Sequence, residues 1–405
     1  MVDRLPVIIV GMGPVGTVLA VALAQQGIPI VLLEKNISPE LDQRSATIHP
    51  STLEMLDELG VTERIMPLGL RSSVVRHWDR VTGEVIADFD MSVLAADTRY
   101  PFVLQYEHYK LVRLLLEDLR SMPTVEIHLG VEVVDVDVGG TPTVTARDVD
   151  GKEMHFVGSF VVGADGGRSA VRKSAGIAFD GFTYEERFLK VMTPFDFAAG
   201  NSAYALRNFF SDPEEWCNLF KVTGEGPPGL WRVVFPAKIA ETNEEALDPT
   251  NIQGRLKRFL PSDHNYEIAS SAIYSVHQRV ARTFLSGPII LVGDAAHLNN
   301  PIGGMGMNGG IHDAINLSEK LARVWRGQAS EELLGLYDRQ RRTVAVDFIQ
   351  AQTIRNKKQL EERDPEVRRR NLATLREIAQ DPVRCRAHLR AASLIDSVEA
   401  SYSIV

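Results

Sequence analysis

Three glycines near the amino terminus have the spacing of a phosphate-binding loop. Gly11, Gly13 and Gly16 form a G-x-G-x-x-G pattern between an apolar run, Val7–Val10, and a helix-like segment at residues 17–26. In such a loop the first glycine makes a tight turn, the second lets the backbone approach a pyrophosphate, and the third lets the helix pack closely on the strand. The helix start would offer open amides to the anion. The pattern predicts dinucleotide binding.

A second apolar run, residues 28–33, ends at Glu34, whose carboxylate can hydrogen-bond a ribose hydroxyl. Residues 5–33 contain no charged side chain, so a membrane span is an alternative interpretation. The glycines, Pro14 and Pro29 interrupt that stretch, and a strand, a turn and a helix explain all of them. We therefore expect no membrane span, and a cytoplasmic location because no targeting signal remains.

The composition argues against several other classes of protein. A chain of 405 residues is long enough for two or three domains, and its net charge of −9 argues against a nucleic-acid partner. Cys217 and Cys385 are far apart, which suggests a reducing compartment without a disulfide framework. Because no cysteine–histidine cluster is present, we predict no metal site.

The glycine pattern occurs twice more, with different meanings. Residues 224–229 contain two consecutive prolines, so that copy cannot open a helix and is predicted to be a hairpin loop. Residues 304–309 precede a helix that we place from about residue 311 to Trp325. Open amides are therefore expected near Met307 and Asn308, where they could stabilise developing negative charge.

The order of three motifs is more specific than any one of them. The N-terminal unit is followed by GADGGRSAVR at residues 163–172 and by LVGDAAHLNNPIGGMGMNGGIHDAINL at residues 291–317. In this combination the chain resembles the FAD-dependent aromatic hydroxylases, the single-component flavoprotein monooxygenases of the p-hydroxybenzoate hydroxylase type. The resemblance covers residues 5–345.

The resemblance implies a set of cofactor contacts. The glycine loop would wrap the FAD pyrophosphate, Glu34 would hold the adenosine ribose, and Asp294 would bind the ribityl chain. Asp165 would serve both FAD and the approaching NAD(P)H. The loop at residues 301–308 would lie along the flavin ring, with two of its amides near the N1–C2 edge. The FAD-binding residues implied in this way are Gly11, Gly13, Pro14, Val15, Gly16, Glu34, Lys35, Arg44, Gln105, Asp165, Asp294, Pro301, Gly304, Gly306, Met307 and Asn308.

The resemblance also implies the reaction. NADH or NADPH would reduce the FAD, O2 would form a flavin C4a-hydroperoxide, and an aromatic, phenolic or hydroxybenzoate-like substrate would be hydroxylated. The alternatives are a monooxygenase or reductase acting on a non-aromatic or polycyclic substrate, and a flavin-bound sensor without activity. No catalytic base is assigned, because His49 and His297 are interpreted as structural or near-flavin residues and His312 as a surface or packing residue. A monomer or a homodimer is expected.

The predicted fold is α/β, with a Rossmann-like FAD-binding domain of the GR2 type, an inserted and mostly antiparallel substrate domain, and C-terminal helices. The FAD-binding domain is placed at residues 1–72, 98–180 and 275–340, and the substrate domain at 73–97 and 181–274. Residues 341–405, which are rich in arginine, are interpreted as a solvated helical segment. Ser51 and Glu54 suggest a capping box for an earlier helix.

The substrate pocket is expected between the flavin and strands of the inserted domain. Lys221 and Arg232 interrupt apolar runs there, so either cation could hold a substrate carboxylate or phenolate, or could face solvent instead. The candidate substrate residues are Tyr204, Trp216, Lys221, Arg232 and Pro301.

Overall fold

The N-terminal glycine loop joins the first strand to the first helix beside a parallel sheet. The structure is a computed structural model, which describes residues 4–39, 45–200 and 203–405. The apolar runs on both sides of the loop are buried strands, as β-branched and leucine side chains favour.

The strands form four sheets. In chain order they are β1 Val7–Val10, β2 Ile30–Glu34, β3 Thr47–Ile48, β4 Leu70–Ser72, β5 Val74–Asp79, β6 Glu84–Asp90, β7 Val103–Gln105, β8 Val125–Leu129, β9 Glu132–Asp137, β10 Thr143–Arg147, β11 Glu153–Val157, β12 Phe160–Gly163, β13 Phe179–Thr193, β14 Arg207–Ser211, β15 Cys217–Val222, β16 Leu230–Pro236, β17 Ser270–Ala281, β18 Leu285–Ser286, β19 Ile289–Leu291 and β20 His297–Leu298.

The helices cover the parallel sheet and make up the C-terminal part of the chain. They are α1 Pro14–Ala24, α2 Pro50–Glu58, α3 Thr62–Ile65, α4 His108–Ser121, α5 Ala170–Ser174, α6 Phe197–Gly200, α7 Asn243–Leu247, α8 Pro249–Phe259, α9 Met305–Trp325, α10 Glu332–Val344, α11 Ala351–Leu360, α12 Pro365–Gln380, α13 Pro382–Ala392 and α14 Ile395–Ser403. A π-helical segment, Ala345–Gln350, joins α10 to α11. None of the described helices is long and apolar enough to cross a membrane.

The six-stranded sheet has the order β18-β19-β12-β1-β2-β8, with parallel pairing from β19 to β8. Val7 of β1 lies opposite Phe160 on one side and Ile30 on the other. Helices α1 and α9 pack against each other, and with the sheet they enclose the largest buried apolar cluster. The carboxyl ends of β1, β2 and β12 therefore open onto one edge, where α/β sheets bind ligands.

The eight-stranded sheet has the order β20-β17-β13-β16-β15-β14-β5-β6 and is antiparallel except between β14 and β5. Alternate residues point to opposite faces. One face carries Phe188, Phe209, Phe220 and Val234 and packs on Ile302; we call it the cavity face. The back face carries the side chains that pack on α8: Leu189, Val191, Phe210, Leu219, Trp231 and Val233. The predicted hairpins around residues 82–83 and 224–229 are confirmed as β5–β6 and β15–β16.

The interpretation of the C-terminal residues as a solvated segment is wrong. Helices α12 and α13 place Leu372, Leu375 and Leu389 in a buried cluster with β6. The outward arginines form ion pairs with the body of the protein, including Arg386 with Asp97 at 2.6 Å. The sequence showed the charged faces of these helices, but their apolar faces gained a partner only in the folded chain.

Two local predictions were also incorrect. His49 occupies the N-cap position of α2, and no side chain caps the helix. Ser51 Oγ instead donates to the carbonyl of Ser393, while Glu54 accepts from the Thr98 hydroxyl. Helix α9 begins at Met305, six residues earlier than predicted.

A buried ion-pair network centred on Asp313 of α9 ties this helix to its neighbours. Asp313 accepts hydrogen bonds from His297 Nε2 and Arg341 Nε, both at 2.7 Å, and from the Gly293 amide at 3.0 Å. Burial alone would raise the pKa of Asp313, but His297 and Arg341 outweigh that effect and hold the pKa below its ordinary value. The network joins α9 and α10 to the segment that carries Asp294.

Replacing Asp313 with Asn should lower the free energy of unfolding by about 3 kcal/mol, because Arg341 would remain buried without its counter-charge. Urea denaturation followed by circular dichroism measures this. The matched control is Asp180→Asn, whose partner Arg282 is 71% exposed. The control should change stability by less than about 1 kcal/mol. Equal losses in the two variants would contradict the role of the network.

Candidate active site

A cleft of about 740 Å³ lies at the carboxyl edge of the parallel sheet, a volume typical of a cofactor site. It brings together residues that lie far apart in the sequence. The predicted cofactor residues that line it are Gly11, Gly13, Pro14, Val15, Glu34, Lys35, Asp165, Asp294 and Met307.

The glycine loop has the geometry that its sequence predicts. Gly11 has φ +101°, and a Cβ there would lie 2.5 Å from the carbonyl oxygen of Ala164. A Cβ at Gly16 would overlap the carbonyl oxygen of Gly11. At Gly13 a Cβ would meet no atom within 4 Å, so this part of the backbone faces open space. Gly13 is also the N-cap of α1, where no side chain occupies the open amides.

Glu34 is held at the end of β2 by two backbone amides. Its Oε2 accepts from Met12 at 2.8 Å and its Oε1 from Asn36 at 2.9 Å. The carboxylate therefore joins the glycine loop to the segment after β2, beside Lys35 at the cleft wall. This is the place where an adenosine ribose would meet an acceptor.

Two carboxylates mark the other side of the cleft. Asp165 Oδ2 accepts from the amides of Ala170 and Val171, at 2.7 and 3.2 Å, at the start of α5. Its Oδ1 is buried without a hydrogen-bond partner among the described residues. Burial raises the pKa of Asp165. Asp294 is exposed in the same cleft. One buried acceptor thus remains for a ligand donor.

Gln105 and Asn308 meet at strand β3 rather than in the cleft itself. Gln105 Oε1 accepts from Thr47 Oγ1 at 2.9 Å, and its buried Nε2 has no partner within the described part of the chain. Asn308 Nδ2 donates to the Thr47 carbonyl, and its Oδ1 accepts from the His49 amide, both at 2.9 Å. The Asn308 side chain therefore ties α9 to β3. Arg44 lies outside the described residues.

The first turn of α9 contains the open amides. Gly304 is its N-cap with φ +73°, and no side chain caps the helix. Because the helix begins at Met305, the amides that lack intrahelical partners are those up to Met307. Gly306 leaves room there, since a Cβ would lie 3.4 Å from Asn299 Oδ1. The orphaned polar atoms, the open glycine backbone and these amides fit a flavin dinucleotide.

A second cavity, of about 80 Å³, lies between the cavity face of the eight-stranded sheet, the loop at Ile302 and Gly303, and helices α11–α13. Most of its wall is apolar. The ionisable groups in the wall are Arg207 from β14, His77 from β5, His49 from the segment after β3 and His388 from α13.

Arg207 is the cation of this wall. It is 3% exposed, and its guanidinium lies 5.4 Å from the ring centre of Phe220 and 5.9 Å from that of Phe209. Its Nε has no hydrogen-bond partner among the residues that the structure describes. Burial, and then Arg232, lower the pKa of Arg207 to about 10. It therefore stays charged at neutral pH and has no carboxylate partner among the described residues, which favours an anionic ligand.

The three histidines are neutral. Burial lowers the pKa of His49 to about 3, that of His77 to about 3 and that of His388 to about 4. His49 Nε2 lies 2.9 Å from the carbonyl oxygen of Gly303 and must donate to it, because a carbonyl only accepts. Its Nδ1, which is buried and has no partner in the described chain, then carries a lone pair.

Comparison with known proteins identifies this arrangement. A family model described as an FAD binding domain matches residues 4–352. The chain is 32% identical to para-nitrophenol 4-monooxygenase of a Pseudomonas species over 380 residues, which cover 93% of this chain and 92% of the relative. The chain belongs to the FAD-dependent aromatic monooxygenases.

Two further proteins are similar to this monooxygenase over nearly its whole length. It is 31% identical to 6-hydroxy-3-succinoylpyridine 3-monooxygenase of Pseudomonas putida over 393 residues, covering 95% of this chain and 96% of the relative. The crystal structure of p-nitrophenol 4-monooxygenase from Pseudomonas putida superposes with a TM-score of 0.90 and 31% identity, covering 98% of each chain. The predicted family, the α/β fold with an FAD-binding domain and the use of FAD are confirmed.

The predicted substrate residues of the monooxygenase are divided between the two faces of its eight-stranded sheet. Arg232 lies on the cavity face, 5.3 Å from the ring centre of Phe220, and Trp216 packs there against Phe188. Tyr204 and Lys221 lie on the back face, Lys221 above the ring of Trp231. The 80 Å³ cavity is lined by none of these four. Pro301 directly precedes Ile302 in the cavity wall.

The sequence reasoning missed Arg207, although a signal was present. Arg207 lies within a mainly apolar stretch, residues 203–210, as Lys221 and Arg232 lie within theirs. Arg207 pairs in register with Phe220, which pairs with Arg232, so both arginines share one face. His312 is a buried packing residue, as predicted, and its Nε2 lies 2.8 Å from the Thr52 hydroxyl. Among the described residues no group of His, Cys, Asp and Glu could hold a metal ion.

Proposed function

We propose that this monooxygenase hydroxylates a monocyclic phenol, which it binds as an anion in the cavity beside Arg207. The observation that carries the proposal is a buried, charged guanidinium whose Nε has no partner among the described residues, in the wall that also includes Ile302 and Gly303 of the loop expected along the flavin. A phenolate, or a phenol with a carboxylate or nitro group, would supply the missing acceptor.

The size of the cavity favours one ring. Its volume is about 80 Å³. An engineered protein cavity that binds benzene measures roughly 150 Å³, so a single ring needs only modest side-chain movement here, whereas a polycyclic substrate needs the wall to be rebuilt. The names of the two relatives given above also describe substrates with one aromatic ring. These points argue against the polycyclic alternative.

The residues that line the cavity would have different roles in activating the substrate. A phenol ionises near pH ~10, and a histidine with a pKa of about 3 is too weak a base to take its proton. Arg207 would instead lower the pKa of the bound phenol by stabilising the phenolate. When the phenol enters protonated, the lone pair on His49 Nδ1 would accept a hydrogen bond from its hydroxyl group before that group ionises. The apolar wall would exclude water from the ring.

The cofactor contacts belong to the same proposal. FAD, when bound, supplies the transfer of reducing equivalents from NADH or NADPH and the activation of O2. The loop at Gly13 would approach the pyrophosphate, Asp165 Oδ1 would accept from FAD, and Gln105 Nε2 would donate to it. The amides of the first turn of α9, including that of Met307, would face the electron-rich edge of the ring.

The test combines a spectrum with a substrate screen. The purified protein should show a bound flavin, and single-ring phenols should stimulate its oxidation of NADH or NADPH and yield hydroxylated products by mass spectrometry. Polycyclic phenols of the same acidity are the control and should stimulate less. A flavin-containing protein that responds only to polycyclic or non-aromatic compounds would overturn the proposal.

A further inference from the structure

The end of the cavity away from the Gly303 loop is formed by two imidazoles. His388 of α13 stacks on Phe89 with ring centres 4.4 Å apart and an interplanar angle of 23°. His77 of β5 meets the same ring edge-on at 5.5 Å and stacks on Phe209 at 5.1 Å. Both histidines are half-buried and line the cavity.

The electrostatic couplings between the four ionisable groups indicate their order along the cavity. His49 lies at the loop, and Arg207 is close enough to lower the pKa values of both His49 and His77. His388 lowers the pKa of His77 but has no such effect on that of His49. Along α13, His388 precedes Ser393 by roughly 7.5 Å. The Ser393 carbonyl is bound by Ser51, next to the start of α2. His388 is therefore at the far end.

Helix α13 is held firmly enough to position its histidine. Asp97, in the loop that follows β6, pairs with Arg386 at 2.6 Å and also with Arg390. Leu389, beside His388 in the sequence, packs in the buried cluster with Phe89. A ring that is stacked and supported in this way has few alternative orientations.

We infer that His388, together with His77, recognises the substituent on the ring opposite the carbon that faces the loop, and that this substituent must accept a hydrogen bond. This inference rests on the proposed function. A neutral imidazole carries one N–H donor, which an acceptor on a ligand in the cavity can meet. A nitro or carbonyl oxygen would satisfy it, whereas an alkyl group would not. The C-terminal helices, which the sequence suggested were solvated, would thus help to choose the substrate.

The test compares two phenols of nearly equal shape, 4-hydroxyacetophenone and 4-isopropylphenol. Dissociation constants for the FAD-containing protein are measured from the change in flavin absorbance. In His388→Leu the constant for the acetyl compound should rise about tenfold, the loss expected for one hydrogen bond, while that for the isopropyl compound stays within about twofold. His388→Gln, which keeps a donor, should restore much of the difference. If His388→Leu does not retain FAD, His77→Leu should give the same selective loss.

The control is His155→Leu, which removes a histidine that is 57% exposed and outside the cavity. Its two dissociation constants should match those of the wild type. Equal losses for both phenols in the cavity variants, or no loss for either, would overturn the inference and leave the proposed function intact. Failure of the wild type to bind any single-ring phenol would overturn the proposed function, and the inference with it.

Discussion

Replacing Arg207 with Met should weaken the binding of an anionic phenol about 100-fold without lowering the stability of the protein. A charge-assisted contact to a buried anion contributes about 1.5–3 kcal/mol, and truncating one partner of such a pair costs 2–5 kcal/mol in binding. In the protein without substrate, by contrast, the buried charge of Arg207 lowers the stability of the fold. Arg207 is 3% exposed and has no carboxylate partner among the described residues, so its removal relieves a desolvation cost that contacts with Phe209 and Phe220 only partly offset.

Two measurements separate these effects. Flavin absorbance titration gives the dissociation constant of 4-nitrophenol, and thermal unfolding gives the stability. Arg232→Met is the matched control, because Arg232 is 9% exposed and also lies above Phe220, but does not line the cavity. Loss of binding in Arg232→Met with normal binding in Arg207→Met would reverse the assignment and favour the anchor that the sequence suggested.

Replacing Gly13 with Val should abolish FAD retention in a protein that still folds. Gly13 has φ −71° and ψ 179°, which any residue can adopt, and a Cβ there meets no protein atom within 4 Å. The isopropyl group would instead fill the space that the pyrophosphate needs. Absorbance of the bound flavin after gel filtration should fall to near zero, while the unfolding curve of the apoprotein stays unchanged.

Gly16→Ala makes the informative comparison. Its Cβ would overlap the carbonyl oxygen of Gly11, a backbone atom that cannot move aside cheaply. This variant should lose about 1–3 kcal/mol of stability in the apoprotein as well as its FAD. If Gly13→Val kept a full complement of FAD, the pyrophosphate would not lie at this loop.

The local features of the cofactor cleft could be predicted because each depends on neighbours in sequence. The turn at Gly11 and the close packing at Gly16 are set by spacing within one strand–turn–helix unit. The same holds for the strand that ends at Glu34 and for the hairpin at residues 224–229. The start of α9 was misplaced because three glycines in its first two turns, Gly306, Gly309 and Gly310, obscured the helix, although Gly310 allows close contact with Val15.

The substrate cavity could not be predicted in this way, because no stretch of sequence contains it. Which face of a strand can line a substrate cavity depends on the other elements that pack over that face. Lys221 and Arg232 looked equivalent in the sequence, yet the register places them on opposite sides of the sheet. The role of His388 could not be predicted either, since Phe89, on which its ring stacks, is about 300 residues away in the sequence.

The sequence by itself determined the cofactor class, the family and the elements that form the FAD cleft, because glycine spacing and strand patterning act over a few residues. Only the tertiary structure decided where a substrate would bind, which cation faces it and that the C-terminal helices form part of its wall. The physical reason is that burial, register and loss of counter-ions are properties of distant surfaces brought together. Arg207 becomes a candidate anion site only when β14, the Gly303 loop and α13 enclose it.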